Sequence, residues 1–177
     1  MSFLQPSDFI GIVSLSSNEF SDIQMQLYID RYEPIYLTDL LGCEFYDEFI
    51  ADLTPTPAVP TSVPTDAKFT QIFNPFCIDE STYSQCQHIS EGILSMLKFF
   101  IYFEFARDNQ FTMSLTGAIK NNFSNSERAR IVETRAIDNY NLGICTYNEI
   151  QWYINDNPVP YDYDLYNGIP KEFMTWL

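Results

Sequence analysis

Few groups in this sequence could do chemistry. One histidine, His88, stands in the tripeptide "CQH" with Cys86, and the other cysteines, Cys43, Cys77 and Cys145, lie far from it and from one another. No CxxC pair occurs, so the spacing suits neither a zinc finger nor a small disulfide scaffold, and CQH could supply two metal ligands at most. A catalytic triad would have a single imidazole to draw on. His88 therefore reads as a hydrogen-bonded histidine near a helix start, and the cysteines as free, partly buried thiols. The motifs GxxxxGK[ST], GxGxxG and HExxH are missing, which removes the common phosphate, dinucleotide and zinc-protease readings.

Carboxylates are the remaining candidates. Asp47 with Glu48, or Asp162 with Asp164, have the right type for two-carboxylate glycoside hydrolysis, but adjacent positions on a helix point apart and such residues normally make a solvated face. Glu104 differs. It belongs to "GILSMLKFFIYFEFARD", Gly92 to Asp108, and on a helix it projects among Ile93, Leu97 and Phe100, opposite Lys98. A carboxyl placed there must be neutral or meet a cation. Arg107, one turn on, is the nearest and Arg31 a more distant candidate, so Glu104 and Arg107 read as a structural ion pair. The sequence offers no catalytic residue, no cofactor site and no metal site, and the expectation is a protein that is not an enzyme.

The segment that carries Glu104 is too short and too charged to span a bilayer, which takes about 20 apolar residues. Glu91, Ser95, Lys98, Tyr102 and Asn109 fall on one narrow stripe, and apolar side chains cover the rest. Such a helix needs neighbours on several sides, from its own bundle or from other subunits. Upstream, Ser17 or Asn18 can cap a helix in which Phe20, Ile23, Leu27 and Tyr28 recur at helical spacing. Pro34 marks a break, after which a short helix runs to a glycine cap at Gly42. "EFYDEFIADL" gives a third helix, and the Pro-rich insert at 54–66 an exposed, stiff linker. Helical signal resumes from Lys68 to Phe73 and again from about Ser81 into the apolar helix. "NQFTMSLTGAIKNNFSNS" alternates apolar and polar residues around Gly117, as a projecting loop or β-hairpin does. From Ser124 or Ser126 a last helix continues to about Ile154. The predicted fold is all-α: a helical bundle with a long central apolar helix, a projecting loop or hairpin, and extended terminal arms. Residues 1–155 make the helical domain and 156–177 a C-terminal arm.

The chain has 177 residues, the length of one domain, and a formal net charge of −15. Aromatic residues make up 16%, too many for a disordered acidic chain. An acidic surface repels phosphates, so neither nucleic-acid binding nor attachment to an anionic membrane is expected. No basic segment precedes an apolar one in "MSFLQPSDFIGIV", and the expectation is synthesis in a cytoplasm without a secretory leader.

Two blocks, "YIDRYEPIYLTDLLGCEFYDEF" (Tyr28 to Phe49) and "GILSMLKFFIYFEFARDNQFTMSLTGAIKNNFSNSERA" (Gly92 to Ala129), resemble small head-tail connector proteins of tailed bacteriophages, in particular the ring or adaptor proteins of crAss-like phages. The resemblance implies a virion protein made in the host bacterial cytoplasm. It would be a homo-oligomer forming a dodecameric ring beneath the portal protein, extending the channel through which DNA passes without sequence-specific contact. Further ring or tail proteins would bind below it, no membrane would be involved, and no cofactor or catalytic residue is implied. The Pro-rich insert and the acidic C-terminal arm depart from compact members of that group. Candidate interface residues are Phe111, Met113, Leu115 and Ile119 in the loop, and Tyr161, Tyr163, Tyr166, Phe173 and Trp176 in the arm, which is expected to dock on another protein and not on its own core. The alternative is an acidic DNA mimic or inhibitor-type interaction protein, which would need its carboxylates in rows on one surface.

Overall fold

The computed structural model describes residues 2–13, 22–55, 62–79, 87–109, 111–114, 117–120, 126–157, 161 and 166–174. Two short 3-10 turns, Pro6–Asp8 and Gly11–Val13, precede helices α1 (Asp22–Leu41) and α2 (Cys43–Asp52). Strands β1 (Leu53–Pro55) and β2 (Ser62–Pro64) lead to α3 (Ala67–Phe73). Strands β3 (Phe76–Asp79) and β4 (Gln87–Ser90) lead to α4 (Gly92–Asn109), and β5 (Phe111–Ser114) and β6 (Gly117–Lys120) lead to α5 (Ser126–Asp156). The described chain is mostly helical, and its strands pair as three separate antiparallel hairpins. The all-α expectation is corrected to that extent.

α1 runs unbroken through Pro34, where a break was expected. Proline removes one N–H, the one that would have bonded the Asp30 carbonyl, and Asp30 is exposed. The helix holds because Met25, Ile29, Tyr36, Leu37, Leu40 and Leu41 are buried on both sides of the proline, and each such side chain contributes about 1.5–3 kcal/mol of apolar burial. It stops at Gly42, whose N–H bonds the Thr38 carbonyl at 2.8 Å. Gly42 has φ +78°, and a Cβ there would lie 1.7 Å from Asn167 Oδ1, so both the backbone conformation and the space select glycine.

The Pro-rich insert is not a plain linker. Its ends pair as β1 and β2, with Leu53 opposite Pro64 and Pro55 opposite Ser62. Asp52 holds the returning strand: its carboxylate accepts bonds from Thr65 N (2.8 Å), Thr65 Oγ1 (2.6 Å) and Asp66 N (2.8 Å). Burial works slightly against its charge, but these bonds keep its carboxyl below the usual range. Before α4, Gln87–Ser90 is a strand where a continuing helix was expected, and the start of that expected helix, about Ser81, lies outside the described residues. β4 pairs with β3, and α4 begins at Gly92, whose φ of +79° and close approach to Phe73 O, 2.5 Å from a Cβ there, exclude a larger residue.

α4 packs against α5, α1 and α3. Ile93, Met96, Leu97, Phe99, Phe100, Ile101, Tyr102, Phe103 and Phe105 are all buried. The chain itself thus covers the wide apolar arc, including Tyr102, which was placed on the polar stripe. The close fit to α5 depends on Gly143: Phe100 occupies the space where a side chain would stand, its ring 2.8 Å from a Cβ built there. Phe100 also stacks on Tyr36 of α1 at 4.5 Å and meets Tyr140 of α5 at 5.2 Å. A second aromatic group, Phe3, Phe49, Phe69 and Phe73, joins the N-terminal segment to α2 and α3.

The C-terminal arm belongs in part to this same core, contrary to expectation. Tyr161 is 1% exposed, stacks on Phe45 at 6.3 Å and donates its hydroxyl proton to Lys68 O at 2.7 Å. Tyr166 donates to Leu40 O at 3.1 Å. Beyond it, Ile169 N bonds Asp39 O at 2.6 Å, Lys171 pairs with Asp39 Oδ2 at 2.7 Å, and Met174 exchanges two bonds with Asn141. The tyrosines face inward because each has both an apolar pocket for its ring and a carbonyl for its hydroxyl.

Candidate assembly interface

The residues singled out for chemistry are scattered. Glu48 pairs with Lys68 at 2.7 Å, while Asp47 is exposed beside it on α2. His88 sits in β4 opposite Ile78, not at a helix start, and Cys86, Asp162 and Asp164 lie outside the described residues. Cys43, Cys77 and Cys145 are free and exposed, more so than expected. Burial and the nearby Glu149 carboxylate push the Cys145 thiol up, which disfavours the reactive thiolate. Among the described residues no cluster of three or more His, Cys, Asp or Glu could hold a metal ion.

Glu104, 7% exposed, is joined to three elements. Tyr36 of α1 donates to Oε1 at 2.7 Å, and Arg107 of α4 sits against Oε2 as an ion pair, without the geometry of a directed hydrogen bond. Tyr140 of α5 lies close enough that the Glu104 charge raises its phenol, after burial, above the usual range. Burial and the bond to Glu104 also push Tyr36 well up. Arg107 then reaches Asp108 at 3.2 Å, which accepts from Tyr28 at 3.2 Å. This network ties α1 to α4.

The hairpin β5–β6 follows α4. Phe111 pairs with Lys120 and Met113 with Ala118, whereas Ile119 pairs with Thr112. Ile119 therefore occupies the other set of register positions from Phe111 and Met113, and the three do not form one alternating row. Leu115 lies outside the described residues. Phe103 meets Tyr140 and Phe100 meets Tyr147 across antiparallel α4 and α5, so the end of α4 is level with the stretch near Ala136. The first turns of α5, from Ser126, extend past that level at the end of the molecule where the hairpin connects the two helices.

In the arm, Tyr161 and Tyr166 turn inward and are withdrawn as interface residues. Tyr163 and Trp176 lie outside the described residues. Phe173 is 53% exposed. It is joined by exposed Ile169, Met174 and, on α5, Leu142, whose neighbour Asn141 binds Met174.

A second apolar group went unnoticed in the sequence. Ile23, 76% exposed, and Leu27 stand one turn apart on α1, and Ile10 and Ile12 are exposed on the N-terminal segment. A shallow hollow lined by Gln5, Pro6, Ser7, Asp22, Ile23 and Gln26 connects the two elements. The segment is anchored to α5, since Arg135 Nε and Nη2 bond Ile12 O at 2.9 and 2.5 Å. The helical spacing of Ile23 and Leu27 marks no buried side of α1, since both are exposed. The signal for the buried side was the spacing of Met25, Ile29, Tyr36 and Leu40, which defines another face once α1 is taken as continuous. No family model, curated protein or solved structure matches the chain. Among the described residues, no helix is long and apolar enough to cross a membrane.

Proposed function

We propose that this chain is a structural subunit of a phage head-tail connector, a ring beneath the portal that extends the DNA channel and joins portal to tail components. In this reading the bundle around α4 is the body of the subunit, the β5–β6 hairpin projects from one end, and the terminal segments carry contacts. The observation that carries the proposal is the presence of two separate exposed apolar groups on one small chain: Ile10, Ile12, Ile23 and Leu27 at the N-terminal side, and Leu142, Ile169, Phe173 and Met174 at the C-terminal side. A closed ring is built from heterologous contacts, in which each subunit presents two different patches that meet on adjacent copies. The resemblance of the two sequence blocks to connector proteins points the same way, and the acidic composition suits a channel in which phosphates must slide and not stick.

The double substitution Ile23→Ser with Leu27→Ser tests the contact. Both side chains are exposed, so circular dichroism and thermal unfolding should change little, while native mass should fall from a ring to a monomer. An intact ring carrying both substitutions would remove this patch from the interface. The DNA-mimic reading makes a different prediction, salt-sensitive competition with DNA for a nuclease or repressor.

A further inference from the structure

Glu33 lies in the middle of α1 and is 4% exposed. Its carboxyl faces the N-terminal segment. Ser2 Oγ is 2.9 Å from Oε2, Phe3 N is 3.3 Å from Oε1, and Leu4 N is 3.2 Å from Oε2. Beside it, Phe3 and Leu4 are buried, and Phe3 meets the edges of Phe49 and Phe73 at 6.0 and 5.9 Å. Among the described residues the hollow at this point is lined by Ser2, Asp30, Glu33, Pro34 and Tyr46, so the titratable side chains beside Glu33 there are an acid on α1 and a phenol on α2, and the amino-terminal charge also acts on it.

We propose that this slot is a releasable binding site for the chain's own N-terminal residues, filled while the Glu33 carboxyl is protonated and loosened as it ionises. The hydroxyl proton of Ser2 decides between the two states. Ser2 Oγ lies 3.0 Å from Leu4 O as well as 2.9 Å from Glu33 Oε2, and one hydroxyl donates to one acceptor at a time. With Glu33 protonated, its O–H donates to Ser2 Oγ, Ser2 donates to Leu4 O, and every group is satisfied. With Glu33 ionised, Ser2 must abandon Leu4 O to serve the carboxylate, and a buried charge remains without a cationic side chain among the described residues lining the hollow. Burial accordingly pushes the carboxyl up to about 7, against the opposing pull of the bonds from Ser2, Leu4 and Phe3 and of the amino-terminal charge. When residues 2–5 lift away, Glu33 regains water and its ordinary value of 4.5. The open state then binds fewer protons at neutral pH, so rising pH favours opening. The anchor at Ile12, held by Arg135 and Asn139, keeps the rest of the segment in place.

Hydrogen exchange at the Phe3 and Leu4 amides of the full chain tests this. Corrected for base-catalysed chemical exchange, their protection should fall on the order of 100-fold between pH 5 and pH 8.5, while amides in α4 keep theirs. Glu33→Gln should flatten the dependence to within about threefold. In the unsubstituted chain, the carboxyl carbon of Glu33 should titrate with the same midpoint as the loss of protection. Protection that does not vary with pH, a fall shared equally by α4, or a Glu33 midpoint near 4.5 would each overturn the proposal. None of these outcomes depends on ring assembly, so the connector reading stands or falls separately.

Discussion

Tyr36 and Glu104 show what one buried contact does for this fold. The Tyr36 hydroxyl is the neutral donor to a carboxylate inside the aromatic layer. Tyr36→Phe keeps the stacked ring on Phe100 and removes only that donor, leaving Oε1 buried and unsatisfied, at a cost of about 1–3 kcal/mol. Urea unfolding should register the loss as a lower midpoint, and an unchanged midpoint would mean that water or Arg107 replaces the bond. Glu33 gives a sign for pH. Its folded value of about 7 lies above the ordinary 4.5, so the folded state holds the extra proton between these values. Its contribution is complete below about pH 4.5 and is lost as pH rises through 7, to a limit of about 3 kcal/mol. Glu33→Gln should therefore lose less stability than the unsubstituted chain between pH 5 and pH 8, and equal losses would place the titration elsewhere. Glu104 could be read in the sequence because the stretch around it, Gly92 to Asp108, is helical as expected. Glu33 could not, because a helix ended at Pro34 hides that Glu33 shares a stripe with Ile29 and Leu37.

Helices were legible wherever apolar residues recur without interruption, as in α2, α4 and α5, and so was the hairpin β5–β6 around Gly117. The other two hairpins were not. Leu53–Pro55 and Ser62–Pro64 carry prolines that read as linker, and their pairing depends on Asp52 gripping Thr65 and Asp66 across the turn, a contact with no local signature. The helical pair α4 and α5 meets at Gly143. Gly143→Ala would gain helix propensity, about 1 kcal/mol, but drives a methyl into the Phe100 ring, an overpacking that costs about 1–3 kcal/mol. Net destabilisation of about 1 kcal/mol by thermal unfolding is expected, and a stabilised variant would show that Phe100 can move aside. The arm was misread because alternating Tyr and Asp suggests outward rings. Burial of Tyr161 against Phe45 and Lys68 predicts that Tyr161→Ala costs about 3–5 kcal/mol, as large aromatic truncations in cores do. Truncation after Asp156 should cost at least as much in the isolated subunit, whereas a loss below 1 kcal/mol would return the arm to a purely external role.

At the scale of the whole molecule, the core is closed within one chain, and among the described residues exposed large apolar side chains include two groups, one around Ile23 and one around Phe173. Subunits joined through them would need to bury roughly 1,200–2,000 Å² per contact for a stable interface. Composition made an acidic, aromatic-rich folded chain legible, and the resemblance of the two sequence blocks is one ground of the connector proposal. Which apolar residues stay exposed was hidden, because exposure depends on how α1 continues through Pro34 and where the arm folds back. Electron microscopy of the purified chain mixed with a tailed-phage portal tests the central claim most directly. The account predicts an annular particle of defined symmetry seated on the portal with its central channel open, and a chain that stays monomeric and leaves the portal bare would contradict it.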